Sequence, residues 1–160
     1  MSTTETPTLR LERTFDAPAE AVFDAWTNPE VLKRWWAADS SWRTAAAEVD
    51  LRVGGSYRLS MEESDADRLH TVCGEYREVR RPERLVYSWA WEEADGHLGH
   101  ASTVTVDFIG EGHSTRVVLE HTGLASVESR DSHRSGWEGC LSNLGTRVFA
   151  AAAQPSWPAP

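Results

Sequence analysis

The chain has 160 residues, 40% hydrophobic and 26% charged, with a net charge of −9. That acidity argues against nucleic acid, whose phosphates need clustered Lys and Arg, and against an anionic membrane surface. No apolar run reaches the ~20 residues that span a bilayer, and the opening MSTTETPTLR has no apolar signal core, so a soluble cytoplasmic protein is expected. A chain of this length can bury roughly 70% of its unfolded surface and needs no staples. We expect a flexible start at 1–7, one domain over 8–152 and a Pro-rich tail at 153–160. Cys73 and Cys140 have no metal-ligand spacing and read as buried free thiols. The eight tryptophans are several times ordinary usage. Tryptophan fills cores, and it also lines apolar pockets where its N–H finds a partner.

The first element is TLRLERTF (8–15), whose alternation of Leu9, Leu11, Arg13 and Phe15 with polar neighbours predicts a strand. A helix follows, with Asp16 as its expected cap, Pro18 near the first turn, and Val22, Phe23 and Trp26 as its apolar stripe. TNPE restarts the pattern: Asn28 caps a second short helix, Pro29 takes its first position, and Val31, Leu32, Trp35 and Trp36 follow. From residue 43 the period becomes two. RTAAAEVDLRVGGSYRLSME predicts a hairpin turning at Gly54-Gly55. LHTVCGEYREV (69–79) is another strand, with a bulge or bend expected at Gly74.

RLVYSWAW (84–91) puts Leu85, Tyr87, Trp89 and Trp91 on one face. Val104, Val106 and Phe108 share a face of the next strand, and Val117, Leu119 and His121 share a face of the last. In the final helix Trp137, Leu141, Leu144 and Val148 form one stripe, with His133 and Cys140 beside it. A helix of about 25 residues would be ~37 Å long. Gly136 and Gly139 each weaken it by roughly 1 kcal/mol relative to alanine, which makes sense where a sheet backbone or a bound molecule must approach closely. The order is strand, two short helices, about six antiparallel strands and one long helix, an α+β chain whose sheet must bury its aromatic face under that helix.

The stretches RTFDAPAEAVFDAWTNPEVLKRWW, VDLRVGGSYRLSM, CGEYREVRRPERLVYSWAW, STVTVDF, TRVVLEHTGL and HRSGWEGCLSNL fall in order within residues 11–150. They resemble the START-like (SRPBCC) superfamily, and within it the bacterial homologues of the activator of heat-shock-protein-90 ATPase. The resemblance implies the helix-grip (Bet v-like) fold: a curved antiparallel sheet of about six to seven strands wrapped around the C-terminal helix, with two short helices after the first strand. It also implies a cavity between sheet and helix, where superfamily relatives bind lipids, sterols, polyketides or plant hormones. The expected lining is Trp36, Tyr57, Met61, His70, Tyr76, Trp89, Val104, Phe108, His133, Trp137, Cys140, Leu141 and Leu144.

His70, His121 and His133 are the polar groups expected to point inward, to orient a ligand or move a proton. No acid is placed by sequence to orient them. HLGH (97–100) has a ligand-like spacing but lies in a Gly-containing turn without a third ligand, so no metal is expected. Asp50 and Arg52 are expected to pair near the hairpin turn, and EESDAD (62–67) reads as a solvated loop tip. No nucleophile elbow, dinucleotide fingerprint or paired-carboxylate motif is present, and no catalytic residue or cofactor is assigned.

The leading functional reading is non-enzymatic binding of a small hydrophobic molecule, with Trp89 and Trp137 as walls and His70, Tyr76 or His133 as polar contacts. The alternatives are a stress-related interaction module that stimulates a chaperone ATPase, and a polyketide cyclase- or dehydratase-like enzyme. Trp35, Trp42 and Trp157, if exposed, would suit a homodimer surface.

Overall fold

A computed structural model describes residues 7–63 and 68–149. Its elements run β1 (Leu9–Phe15), α1 (Ala19–Thr27), α2 (Pro29–Trp35), β2 (Arg43–Val49), β3 (Ser56–Glu62), β4 (Leu69–Arg80), β5 (Arg84–Trp91), β6 (Ser102–Glu111), β7 (Ser114–Thr122) and α3 (Val127–Leu144). Among the described residues the strands form one sheet in the order β1-β7-β6-β5-β4-β3-β2, with every neighbouring pair antiparallel. The sheet curls around α3 in the helix-grip arrangement. None of the described helices is long and apolar enough to cross a membrane.

Local chemistry explains most element boundaries. Asn28 accepts a hydrogen bond on Oδ1 from the Glu30 N–H at 2.9 Å, and Pro29 opens α2 where no donor is needed. Asp16 does not cap α1. Pro18 takes the cap position in extended backbone, and no side chain accepts from the first turn. The β2–β3 turn needs Gly54 at φ +86°, in the left-handed region where a side chain is strained. Gly74 marks a close approach rather than a bulge. A Cβ there would overlap the Ser88 carbonyl, and the irregularity between β4 and β5 falls between Tyr76 and Glu78. Tyr57 pairs with Gly74 in register, and its hydroxyl donates to the Ser88 carbonyl at 2.6 Å.

The core lies between the curled sheet and the helices. Phe23 and Trp26 of α1 meet Phe108 of β6 at ring-centroid distances of 5.3 and 5.7 Å. Trp35 is fully buried and donates its N–H to the Ala25 carbonyl at 2.9 Å, so it offers nothing to a dimer surface. Trp42 is half-buried, and Trp157 lies outside the described residues.

Trp137, Leu141 and Leu144 form the buried stripe of α3. The helix is not uniform over the expected 25 residues. It runs as α-helix to Leu144 and continues as a π-helical turn from Gly145 to Phe149. The wider turn leaves Val148 half-buried and brings Phe149 into the core, 5.8 Å from the Phe15 ring.

Candidate functional site

Packing leaves a cavity of about 380 Å³ at one end of the helix–sheet interface. The sheet side consists of Met61 on β3, His70 on β4, and Trp89 and Trp91 on β5. The α3 side presents Ser132, His133, Gly136, Trp137 and Cys140, spaced three and four residues apart and so on one helical face. The third wall is the segment after α2, with Trp36, Ala38 and Trp42. Trp36, Met61, Trp89, Trp137 and Cys140 are buried, whereas Trp42, His70, Trp91 and His133 are half-buried. The inner end is therefore dry and apolar, and the outer end meets water.

The segment from Ala37 to Trp42 is strapped across α3. Gly139 is small because the strap passes directly over it: a Cβ at 139 would overlap the Ala38 carbonyl oxygen. The close neighbour is thus neither sheet backbone nor ligand. At Gly136 a Cβ would stand an ordinary 3.7 Å from the Ala38 Cβ. Asn143 Nδ2 donates to the carbonyls of Ala37 at 3.0 Å and Asp39 at 3.3 Å, and the Arg147 guanidinium donates to those of Ser40 and Trp42.

The inner histidines are fixed by tryptophan donors. Trp137 Nε1–H donates to His121 Nδ1 at 3.1 Å, so His121 carries its proton on Nε2 and gives it to Ser102 Oγ at 2.7 Å. Trp91 Nε1–H donates to His133 Nε2 at 2.9 Å, so His133 carries its proton on Nδ1 and gives it to the Ser129 carbonyl at 2.7 Å. Both rings are neutral in this pattern. Burial, reinforced by the nearby His133, pulls His121 down to about 3. Burial also lowers His133, against its bond to Ser129. His121 is fully buried behind the wall and does not line the cavity.

At the mouth His70 Nε2 lies 2.7 Å from Glu63 Oε2, and Trp42 stacks on the His70 ring at 5.5 Å and 10°. Trp89 is the exception to this satisfied network. Its indole N–H is buried and has no hydrogen-bond partner among the described residues.

Seven of the thirteen expected lining residues face this cavity: Trp36, Met61, His70, Trp89, His133, Trp137 and Cys140. The other six lie elsewhere. Tyr57 and Tyr76 pack with Tyr87 at centroid distances of 5.1 and 5.9 Å, beside a void of only about 10 Å³. Val104 and Phe108 are core residues on β6, with Phe108 covered by α1, and Leu141 and Leu144 are core residues of α3. The side chains of α1 and α2 fill that part of the interface, which confines the cavity to the other end.

Ala38, Trp42, Trp91 and Ser132 line the cavity without having been expected there, and Gly136, read as a position of close approach by a sheet backbone or a bound molecule, lines it too. Trp91 shares the strand face of Trp89, so period two could have found it. Glu63 was also missed. With Met61 paired to His70, a hairpin reading puts Glu63 just beyond His70 at the loop. Only residues 62 and 63 of the acidic run at 62–67 are described.

The remaining candidates stay outside the site. Arg52 pairs with Asp50 at 3.0 Å in the hairpin turn. His97 meets Asp95 at 3.0 Å, and His100 bonds the Gly123 carbonyl at 2.7 Å. Among the described residues no group of three or more His, Cys, Asp or Glu could hold a metal.

Burial pushes the Cys140 thiol up to about 12. At pH 8 that leaves on the order of a thousandfold less thiolate than an ordinary thiol near 8.5. Iodoacetamide is accordingly expected to leave native Cys140 unmodified over hours while labelling it readily in urea, read by peptide mass spectrometry. Rapid labelling of the folded protein would contradict this environment.

Fold and cavity together define a helix-grip protein with a tryptophan-lined pocket. The family model described as activator of Hsp90 ATPase homolog 1-like protein matches residues 16–148, and the chain belongs to that family. The crystal structure of an AHSA1 protein from Silicibacter pomeroyi is similar at 26% identity and TM-score 0.80, covering 93% of this chain and 99% of that one. The solution structure of an AHSA1-like protein from Aeromonas hydrophila is 30% identical, with TM-score 0.72 and coverage of 92% and 96%. An HSP90 activator from Plasmodium falciparum is 25% identical, with TM-score 0.64 and coverage of 86% and 92%. No curated protein matches the chain.

Proposed function

We propose that the chain binds a small hydrophobic molecule between the sheet and α3. The observation that carries this reading is the 380 Å³ cavity walled by five tryptophans, one of which, Trp89, has a buried N–H with no acceptor among the described residues. An unmet buried donor costs about 1–3 kcal/mol, a cost that a ligand oxygen would remove once a small shift of the indole brought the N–H to the cavity surface. The volume sits at the lower end of the ~300–1,000 Å³ of small-molecule sites. The ligand is therefore a compact, largely apolar molecule with a hydrogen-bond acceptor. Trp36, Trp89 and Trp137 would provide its walls.

Native mass spectrometry of freshly purified protein, followed by denaturing extraction, tests occupancy directly, and a co-purified mass names the chemical class. The acceptor is tested by titrating 4-tert-butylacetophenone and its ketone-free counterpart 4-tert-butylethylbenzene against tryptophan fluorescence. Trp89→Phe is expected to weaken the ketone roughly 5–30-fold, the equivalent of about 1–2 kcal/mol. The hydrocarbon should change less than about 3-fold. Equal losses for both would assign Trp89 to packing alone.

A second reading draws on the Plasmodium falciparum HSP90 activator among the similar structures. In that reading the chain stimulates its host's Hsp90 ATPase. An unchanged ATPase rate with the purified chain in excess would refute it.

A further inference from the structure

We infer that the cavity selects an organic cation, an aryl or alkyl quaternary amine, over neutral and anionic molecules of the same shape. The inference rests on the ligand-binding reading above and adds the charge of the ligand.

Its first support is the arrangement of the rings. Five tryptophans line one cavity: Trp36, Trp42, Trp89, Trp91 and Trp137. Around Trp89 the neighbouring indoles are inclined rather than parallel, with Trp36 at 60° and 6.3 Å, Trp91 at 87° and 5.4 Å, and Trp137 at 40° and 5.2 Å. These are tilted and edge-to-face contacts between neighbouring rings, and all five indoles border the same space. The indole face carries negative quadrupole density, which attracts a cation within about 6 Å by roughly 0.5–2 kcal/mol.

The second support is the distribution of charge. Among the described residues no Arg or Lys lines the cavity. The Arg147 guanidinium points its donors at the Ser40 and Trp42 carbonyls and does not line the cavity. The inner histidines accept from indole N–H groups and are neutral, so no cationic side chain among the described residues at the dry end would neutralise a carboxylate or phosphate. At the mouth Glu63 faces His70 at 2.7 Å. That contact brings a carboxylate to the opening. The chain's −9 adds a long-range field of the same sign. A quaternary ammonium is also weakly hydrated for a cation and leaves water at modest cost.

The test uses three aryl ketones that differ only at the para position: trimethylammonium, the neutral tert-butyl isostere, and carboxylate. Each is titrated into the full chain at low salt by calorimetry. The trimethylammonium ketone is expected to bind at least ~5-fold tighter than the tert-butyl ketone, and the carboxylate at least ~10-fold weaker. Glu63→Gln should reduce the cation's advantage over the neutral ketone about threefold. A neutral ketone that binds as tightly as the cation, or a carboxylate that binds best, overturns the inference and leaves the ligand-binding reading standing. Failure of all three to bind overturns both.

Discussion

Gly139→Ala is expected to destabilise the protein by about 1–3 kcal/mol, although alanine is the better helix former by ~1 kcal/mol. The added methyl has no room, because it would overlap the Ala38 carbonyl oxygen. That oxygen belongs to backbone held from both sides: Asn143 bonds the Ala37 and Asp39 carbonyls, and Arg147 bonds those of Ser40 and Trp42. The strap cannot move away without breaking those bonds. Gly136→Ala is the matched control. Its methyl meets the Ala38 Cβ at 3.7 Å, and the variant should gain up to ~1 kcal/mol from helix propensity. Urea denaturation of both proteins reads the difference. Because the strap carries Ala38 and Trp42 into the cavity wall, Gly139→Ala should also weaken any cavity ligand. Equal stability of the two variants would show that the strap yields freely.

Acid is expected to destabilise the fold well above the pH range of the carboxylates, through His121. The folded protein holds this ring neutral with its pKa near 3, whereas an unfolded histidine titrates near 6.5. Between these values the unfolded chain binds more protons, so stability rises with pH. The contribution is complete above about pH 6.5 and is lost as pH falls toward 3. The slope approaches ~1.4 kcal/mol per pH unit, so about 2 kcal/mol should disappear between pH 6.5 and 5, where most carboxylates are still ionised. His133, lowered by burial, acts in the same direction. Protonation would put an N–H on Nδ1, where the Trp137 indole already donates, and would leave two donors facing each other in a sealed site. His121→Gln keeps an acceptor and a donor but does not titrate. It should be less stable at pH 7.5 yet show a shallower slope from pH 6.5 to 5. An unchanged slope would assign the acid sensitivity to other groups.

Much of the scaffold was legible in the sequence because its determinants are local. Alternation of Leu85, Tyr87 and Trp89 marks one sheet face wherever the strand sits, and those three residues are buried. Asn28-Pro29 makes its cap from neighbouring atoms alone. The +4, +3 spacing of Trp137, Leu141 and Leu144 assigns a buried stripe without reference to what covers it. Asp16 failed as a cap because Pro18, just before the helix, already had extended backbone. The π-helical turn at Gly145–Phe149 had no local signature. It follows from Phe149 finding Phe15, 134 positions earlier in the chain.

The candidate site was legible by residue type and not by boundary. Periodicity separates inside from outside, yet it cannot separate a residue that borders a void from one that fills the core. Trp89 and Trp137 border the cavity, whereas Leu141 and Phe108 do not, although all four are buried on the faces assigned to them. Which end of the interface stays empty depends on how far Phe23, Trp26 and Trp35 reach in from α1 and α2. Trp42, suited to a dimer surface only if exposed, is laid on His70 by the strap.

The sequence by itself determined the element order, the antiparallel α+β class, the family and the burial of an aromatic sheet face under the last helix. These follow from spacing, capping chemistry and turn residues acting over a few positions. Tertiary structure alone decided the size of the cavity, the close passage of Ala38 over Gly139, the indole–imidazole pairs that keep His121 and His133 neutral, the Glu63–His70 contact, and the Trp89 N–H left without a partner among the described residues. Each of these joins atoms from different elements. Their distances depend on sheet curvature and rotamers, which no local pattern encodes.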